Sequence, residues 1–306
     1  MKKFFGLCAA LLMLCTVIFP AKTFAAEAQV SDAEAMQAFR QALTDESDPV
    51  GRIFRQDILF TSPYVQGELE LFGTVENDVF KSTGELTFWM ENDDATTTER
   101  IIPFYMTQSG KDMIIYLKAN KDWEKFTAPS LAAEIMDVIA TPTQAEIEEI
   151  IADTKKVEIL RETGNRRIML VTLDGDRLAD SLKTRSEDNP DVSSDPIQAA
   201  TINYFDTALR KANTWYIWTV DKRDWRNIAL QFNFSEIVKE LARAALNDPN
   251  RNWPDEISQI LETIAYYSEL RSYVTYPSDP AAEKKFEIPK KVLKAKAIDS
   301  LTSSVK

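Results

Sequence analysis

Residues 64–91 read YVQGELELFGTVENDVFKSTGELTFWME. Val65, Leu69, Leu71 and Val75 fall on odd positions, with Glu68, Glu70 and Thr74 between them. After Glu76-Asn77-Asp78 the parity changes: Phe80, Leu86, Phe88 and Met90 fall on even positions, opposite Lys81, Glu85 and Glu91. Alternation with period two is the mark of a sheet with one face buried and one wet. Two such runs around a polar Asn-Asp turn predict an antiparallel hairpin.

The pattern extends in both directions. Asn92-Asp93-Asp94 predicts the next turn, with strands over 101–107 and 113–118 around Ser109-Gly110-Lys111, and another over 122–127. These make a meander of at least five antiparallel strands. Strands return at 156–161 and 167–173 around Gly164-Asn165, and at 213–221 and 225–234, where Ile228, Leu230, Phe232 and Phe234 alternate with Gln231 and Asn233. Helices are expected over 27–50, with Met36, Phe39 and Leu43 on one face, and over 129–153 in two pieces divided by Pro142. Others follow Asp174-Gly175-Asp176, run over 196–212 from Pro196, and run over 236–246 with Ser235 as cap. Residues 186–195 are read as an acidic loop. Residues 254–276 fit a helix through Ile257, Ile260, Leu261 and Ile264, and a strand through Leu270, Val274 and Tyr276. The split is placed at about Ile264, and a short closing strand is expected over 285–288. The fold class is α+β: a curved antiparallel sheet, or incomplete β-barrel, covered by helices, forming one domain over 26–306.

The first 25 residues have a different character. Lys2 and Lys3 precede an apolar run over 4–19 that is broken only by Gly6 and Thr16; Pro20 and Thr23-Phe24-Ala25 follow. This is the three-part pattern of a cleaved secretory signal. A soluble, exported chain, periplasmic or secreted, is expected, with no membrane-spanning segment left after cleavage. Both cysteines, Cys8 and Cys15, lie in that segment, and Leu14 before Cys15 is too large for a lipidation motif.

The remaining chain has no cysteine, and the whole sequence has no histidine. Ser-His-Asp and Cys-His nucleophile systems are therefore excluded, as are ordinary zinc sites. With 33 basic against 48 acidic residues after residue 25, the chain lacks the basic balance of a nucleic-acid binder. No phosphate-cradling glycine loop and no G-x-S-x-G occurs. The only S-x-x-K, Ser303 to Lys306, lies in the tail. Glu148-Glu149 and Asp93-Asp94 read as solvated surface rather than a glycosidase pair. Glu187, Asp188, Asp191 and Asp195 lack the register of a calcium loop. No enzyme, cofactor or metal is expected. Aromatic residues carry more information: Trp215 and Ile217 point to one side of their strand, and Tyr216, Trp218 and Val220 to the other. Both faces are apolar, as in a sheet covered on both sides or one that lines a cavity; sugar stacking on exposed tryptophan is a third reading.

Several stretches resemble the LolA/LolB and LppX-type superfamily of lipoprotein and lipid carriers. They are Glu85-Leu86-Thr87-Phe88-Trp89-Met90 and Met113-Ile114-Ile115-Tyr116-Leu117, the latter leading to Trp123-Glu124-Lys125-Phe126. Tyr216-Ile217-Trp218-Thr219-Val220-Asp221-Lys222 and Phe286-Glu287-Ile288-Pro289 complete the set. The resemblance implies an incomplete barrel closed by helices over a hydrophobic cavity, and a non-catalytic carrier of a lipid, an acyl chain or a lipidated protein. The cavity would be lined by Leu69, Leu71, Leu86, Phe88, Phe104, Met106, Ile115, Leu117, Leu230 and Phe232, and covered by helices 129–140 and 236–246. The chain departs from LppX-type members in having no lipidation motif. A structural or protein-interaction protein of the same fold, with a filled core and no ligand, is the alternative.

Overall fold

The computed structural model describes residues 32–44, 53–63, 65–76, 79–91, 96–118, 121–128, 143–187, 196–277 and 286–298. The expected signal segment, helix 129–140 and residues 188–195 of the expected acidic loop 186–195 lie outside them, while Ser186 and Glu187 end a helix.

Among the described residues, twelve strands join one curved, unclosed sheet in the order β12-β6-β5-β4-β3-β2-β1-β11-β10-β9-β8-β7. The meander comprises β1 (Ile53–Thr61), β2 (Val65–Glu76), β3 (Val79–Glu91), β4 (Thr97–Ser109), β5 (Asp112–Leu117) and β6 (Glu124–Ala128). The other half is built from the hairpins β7 (Thr154–Glu162) with β8 (Arg166–Leu173) and β9 (Trp215–Asp221) with β10 (Asn227–Asn233). Strand β11 (Glu269–Thr275) sits between β1 and β10 and welds the halves together. Every pairing is antiparallel except that of the two-residue β12 (Lys296–Ala297), which lies parallel on β6.

Strand β1 was not among the sequence expectations. Its inner positions include the polar Gln56 and its outer ones the exposed Leu59, so the alternation of Ile58 and Phe60 with Asp57 is blurred.

Among the described residues, seven helices accompany the sheet: α1 (Asp32–Thr44), α2 (Gln144–Ala152), α3 (Gly175–Glu187), α4 (Pro196–Lys211), α5 (Ser235–Leu246), α6 (Asp255–Tyr267) and α7 (Lys290–Leu293). Helix α1 buries Ala35, Ala38, Phe39 and Ala42 and packs on β7. Its small residues let Phe39 reach Trp218 edge to face, with ring centroids 5.6 Å apart. Helix α2 opens with a capping box. The Thr143 hydroxyl accepts from the Glu146 N–H, and the Glu146 carboxylate accepts from the Thr143 N–H at 2.6 Å. Helices α3 to α6 pack in sequence, and α5 lies against β11.

Three boundaries differ from expectation. Ser235 lies inside the first turn of α5 rather than capping it: its N–H donates to Asn233 Oδ1 at 3.0 Å, and its hydroxyl accepts from the Leu270 N–H at 3.1 Å. Helix α6 continues past Ile264 to Tyr267, because Ala265 completes its buried stripe while Tyr266 and Tyr267 face solvent. Ser268 then ends the helix, its hydroxyl donating to the Ile264 carbonyl at 2.6 Å. Residues 286–289 are not a strand. They lead through Pro289 into α7 and form a strap across the outer face of the sheet. Phe286 meets Phe72 with centroids 5.8 Å apart, and Val292 and Ala295 bury against Tyr116. The Ile298 N–H reaches the Lys125 carbonyl at 2.9 Å, so the strap covers the β6 edge that would otherwise invite strand addition.

Candidate ligand-binding face

Side chains on one face of a sheet line up across strands in rows set by the register. One row crosses eleven strands: Glu124, Leu117, Phe104, Gly84, Leu71, Gln56, Val274, Leu230, Trp218, Met169, Ile159. A second, beside it, runs Ile102, Leu86, Leu69, Ile58, Ser272, Phe232, Tyr216, Val171, Val157. Met106 and Ile115 stand in a flanking row, and Phe88 in another beside Gly67. All ten residues expected to line a cavity therefore share one face, and they belong to the same apolar cluster as Phe39, Ile147 and Ile237 from the helices.

That face is packed rather than hollow. Eight of the ten are no more than 6% exposed, while Met106 and Leu230 are half-buried. The packing uses a device the sequence reading did not include. Three glycines of β2 and β3 point to this face, and each stands beside a phenylalanine of a neighbouring strand: Gly67 beside Phe60 and Phe88, Gly73 beside Phe54, Gly84 beside Phe104. The Phe104 ring lies so close to Gly84 that an added Cβ would sit 2.7 Å from it. Inward glycines let a sheet coil tightly, and an adjacent aromatic ring restores the lost apolar contact.

Polar groups are sparse. Gln56 donates to Ser272 across the β1–β11 seam at 3.1 Å, satisfying both in a buried place. Ser82 Oγ and Glu124 Oε2 are buried with no hydrogen-bond partner among the described residues. Tyr216 packs at a tilt against Phe232, with ring centroids 4.7 Å apart, and burial pushes its phenol far above the ordinary range. The other face of β9 carries the buried Ile217, so the strand is covered on both sides.

A groove of about 720 Å³ between α4 and α5 is lined by Tyr204, Arg243, Asp248 and Arg251. There the Tyr204 hydroxyl donates to Asp248 at 2.6 Å; burial raises the phenol, and the same bond lowers the carboxyl. Glu148 is exposed and pairs loosely with Arg40 at 3.8 Å, in keeping with a solvated surface. Among the described residues no helix is long and apolar enough to cross a membrane, and no group of acids is arranged to hold a metal ion.

No protein-family model matches this chain, and no curated protein matches it. Among solved structures, the crystal structure of the Mycobacterium tuberculosis lipoprotein LppX is similar over 81% of this chain and 95% of that one. The TM-score is 0.34 and the identity 10%. So distant a likeness carries no functional weight, and the reading below rests on the residues themselves.

Proposed function

We propose that the protein is an exported, non-catalytic carrier or binder that takes an apolar chain, from a lipid or a lipidated partner, between the inner face of its sheet and the covering helices. The observation that supports this is the row across eleven strands of a sheet that does not close, apolar except for Gln56 and Glu124. Helices rather than strands complete the enclosure, and a helix can move away without breaking the ladder. A buried acyl chain gains about 0.8 kcal/mol per CH₂, on the order of 10 kcal/mol for a long chain. Ordering costs and displaced contacts reduce that gain. Because the face is filled, entry requires the helices to part and side chains to repack.

A second reading, an interaction protein with a filled core and no ligand, is favoured by the phenylalanine-glycine pairs that occupy the tightest part of the sheet. Titration with a fluorescent long-chain fatty acid separates the two. Met106 and Leu230 are the half-buried members of the inner face, so Met106→Trp and Leu230→Trp fill the space a chain would enter. The carrier reading expects saturable uptake that both variants weaken by about tenfold, a 1.4 kcal/mol effect. No saturable uptake by the unaltered chain would leave the filled-core reading.

A further inference from the structure

The turn between β7 and β8 and the turn between β9 and β10 meet at one rim of the sheet. The Lys222 N–H donates to the Asn165 carbonyl at 2.9 Å, and Lys222 Nζ and Arg167 both bond Glu162, at 3.0 Å and 2.6 Å. Between the turns lies a cleft of about 170 Å³, lined by Asn165, Arg166, Asp221, Arg223, Arg226, Asn227, Ile228 and Tyr276. Its charge runs against the rest of the molecule. The chain carries a net charge of −12, yet the cleft presents three guanidinium groups and a single carboxylate.

That carboxylate is already committed. Asp221 has a side chain only 6% exposed, and it accepts from Arg223 Nε at 3.0 Å, Arg223 Nη2 at 2.6 Å and the Arg223 N–H at 2.9 Å. A guanidinium held by one carboxylate through two N–H groups keeps further donors for a second anion, and its plane is now fixed. Arg166 has no carboxylate within ion-pair distance among the described residues. The turn itself is held in an unusual shape. Trp225 has φ of 55°, a left-handed conformation rare for a bulky side chain. Arg167, anchored by Glu162, lies over the Trp225 ring at 5.5 Å and braces it. Backbone strain of this kind collects at sites where side chains must be aimed. Here it places Arg223 and Arg226, on either side of Trp225, at the same cleft as Arg166.

We propose that this rim cleft binds an oxyanion of the phosphate class, held by Arg166, Arg223 and Arg226 with amide support from Asn165 and Asn227. The cleft suits a single phosphate group, whether free or at the head of an amphiphile. It is distinct from the apolar inner face, and its occupation does not depend on the carrier reading. Asn227 does connect the two regions, since its side-chain oxygen accepts from Trp218 Nε1, and Trp218 stands in the long apolar row.

The test is an NMR titration of the full chain, first with inorganic phosphate and then with a water-soluble short-chain phosphatidic acid. Saturable shifts at the amides of 165–166 and 222–227 are expected with at least one probe. Each of Arg166→Gln and Arg226→Gln should weaken binding by about tenfold, the effect of losing one hydrogen bond to a charged group. Added salt should weaken it further. Tighter binding of the phosphatidic acid through the same arginines identifies a lipid head as the source. Equal or weaker binding identifies free phosphate. Absence of saturable shifts with either probe, or binding unchanged by the substitutions, overturns the proposal. Should Arg226→Gln fail to fold by circular dichroism, the exposed Arg166→Gln decides the matter alone.

Discussion

Replacing Gly84 by alanine would set a methyl carbon 2.0 Å from the Glu70 carbonyl oxygen and 2.7 Å from the Phe104 ring. The first contact is with the backbone of the adjacent strand, which cannot yield without disturbing the β2–β3 ladder. Overpacking in a core costs about 1–3 kcal/mol, and a backbone obstruction places Gly84→Ala near 3. Gly73→Ala meets only the Phe54 ring, at 2.4 Å, and that half-buried side chain can swing aside, so about 1 kcal/mol is expected. Gly164 has nothing within 4 Å of an added Cβ, and Gly164→Ala should stay within about 0.5 kcal/mol of the unaltered chain. Urea unfolding followed by tryptophan fluorescence ranks the three. With a slope of about 3 kcal/mol/M, Gly84→Ala lowers the midpoint by about 1 M. The second-site variants are sharper. Phe54→Leu should relieve Gly73→Ala, whereas Phe104→Leu should not relieve Gly84→Ala, because the Glu70 oxygen remains. A Gly84→Ala chain as stable as the unaltered one, or full rescue by Phe104→Leu, would refute the role given to the inward glycines.

Three further perturbations follow from the packing and the charges. Gly175→Ala places a Cβ 2.1 Å from the Leu209 carbonyl, so it should pry α3 from α4 at a cost of about 2–3 kcal/mol and speed hydrogen exchange in both helices. Val292 of the strap is fully buried against Tyr116; Val292→Asp should undock the strap rather than bury an unpaired charge, red-shifting Trp123 emission and making the chain at the lysines of α7 cleavable by trypsin. Asp221 is held well below the usual carboxylate range by Arg223, Glu162 is lowered by Lys222 and then Arg167, and Asp248 by Tyr204. Their unfolded pKa values lie at about 4, so the unfolded chain takes up protons first. The stability they contribute is present above that pH and is lost as pH falls toward their folded values; Asp221→Asn should flatten the acid limb of a melting-temperature profile. At the other extreme, Tyr216 is raised by burial. Its neutral form is favoured in the fold, stability falls above about pH 10, and Tyr216→Phe should flatten that alkaline limb.

The inner face was legible because burial on one side writes itself into a sequence with period two. Leu69 and Leu71, Leu86 and Phe88, and Leu230 and Phe232 could be assigned to one face before any pairing was known. Helices α4 and α5 were legible from their 3–4 spacing. Strand β1 was not, since Gln56 faces inward and Leu59 outward, and only the Gln56–Ser272 bond across 216 residues of sequence explains why a polar side chain occupies an inner position. No local signal could place β11 between β1 and β10. The glycines of β2 and β3 were visible as letters, but the alternation pattern gave them no role. Their function appears only when the register sets each beside a phenylalanine. The rim arginines were hidden for the same reason: residues 165–166 and 221–227 meet through tertiary pairing, and neither turn alone has a binding motif.

Native mass spectrometry with solvent extraction, on the full chain produced with its N-terminal segment and purified from the cell envelope or medium, tests the carrier reading most directly. A mass excess that resolves on extraction into fatty-acid or phospholipid species, and that diminishes in Leu230→Trp, is the result expected. A chain of bare polypeptide mass that takes up no added lipid would contradict it and leave a filled-core interaction protein.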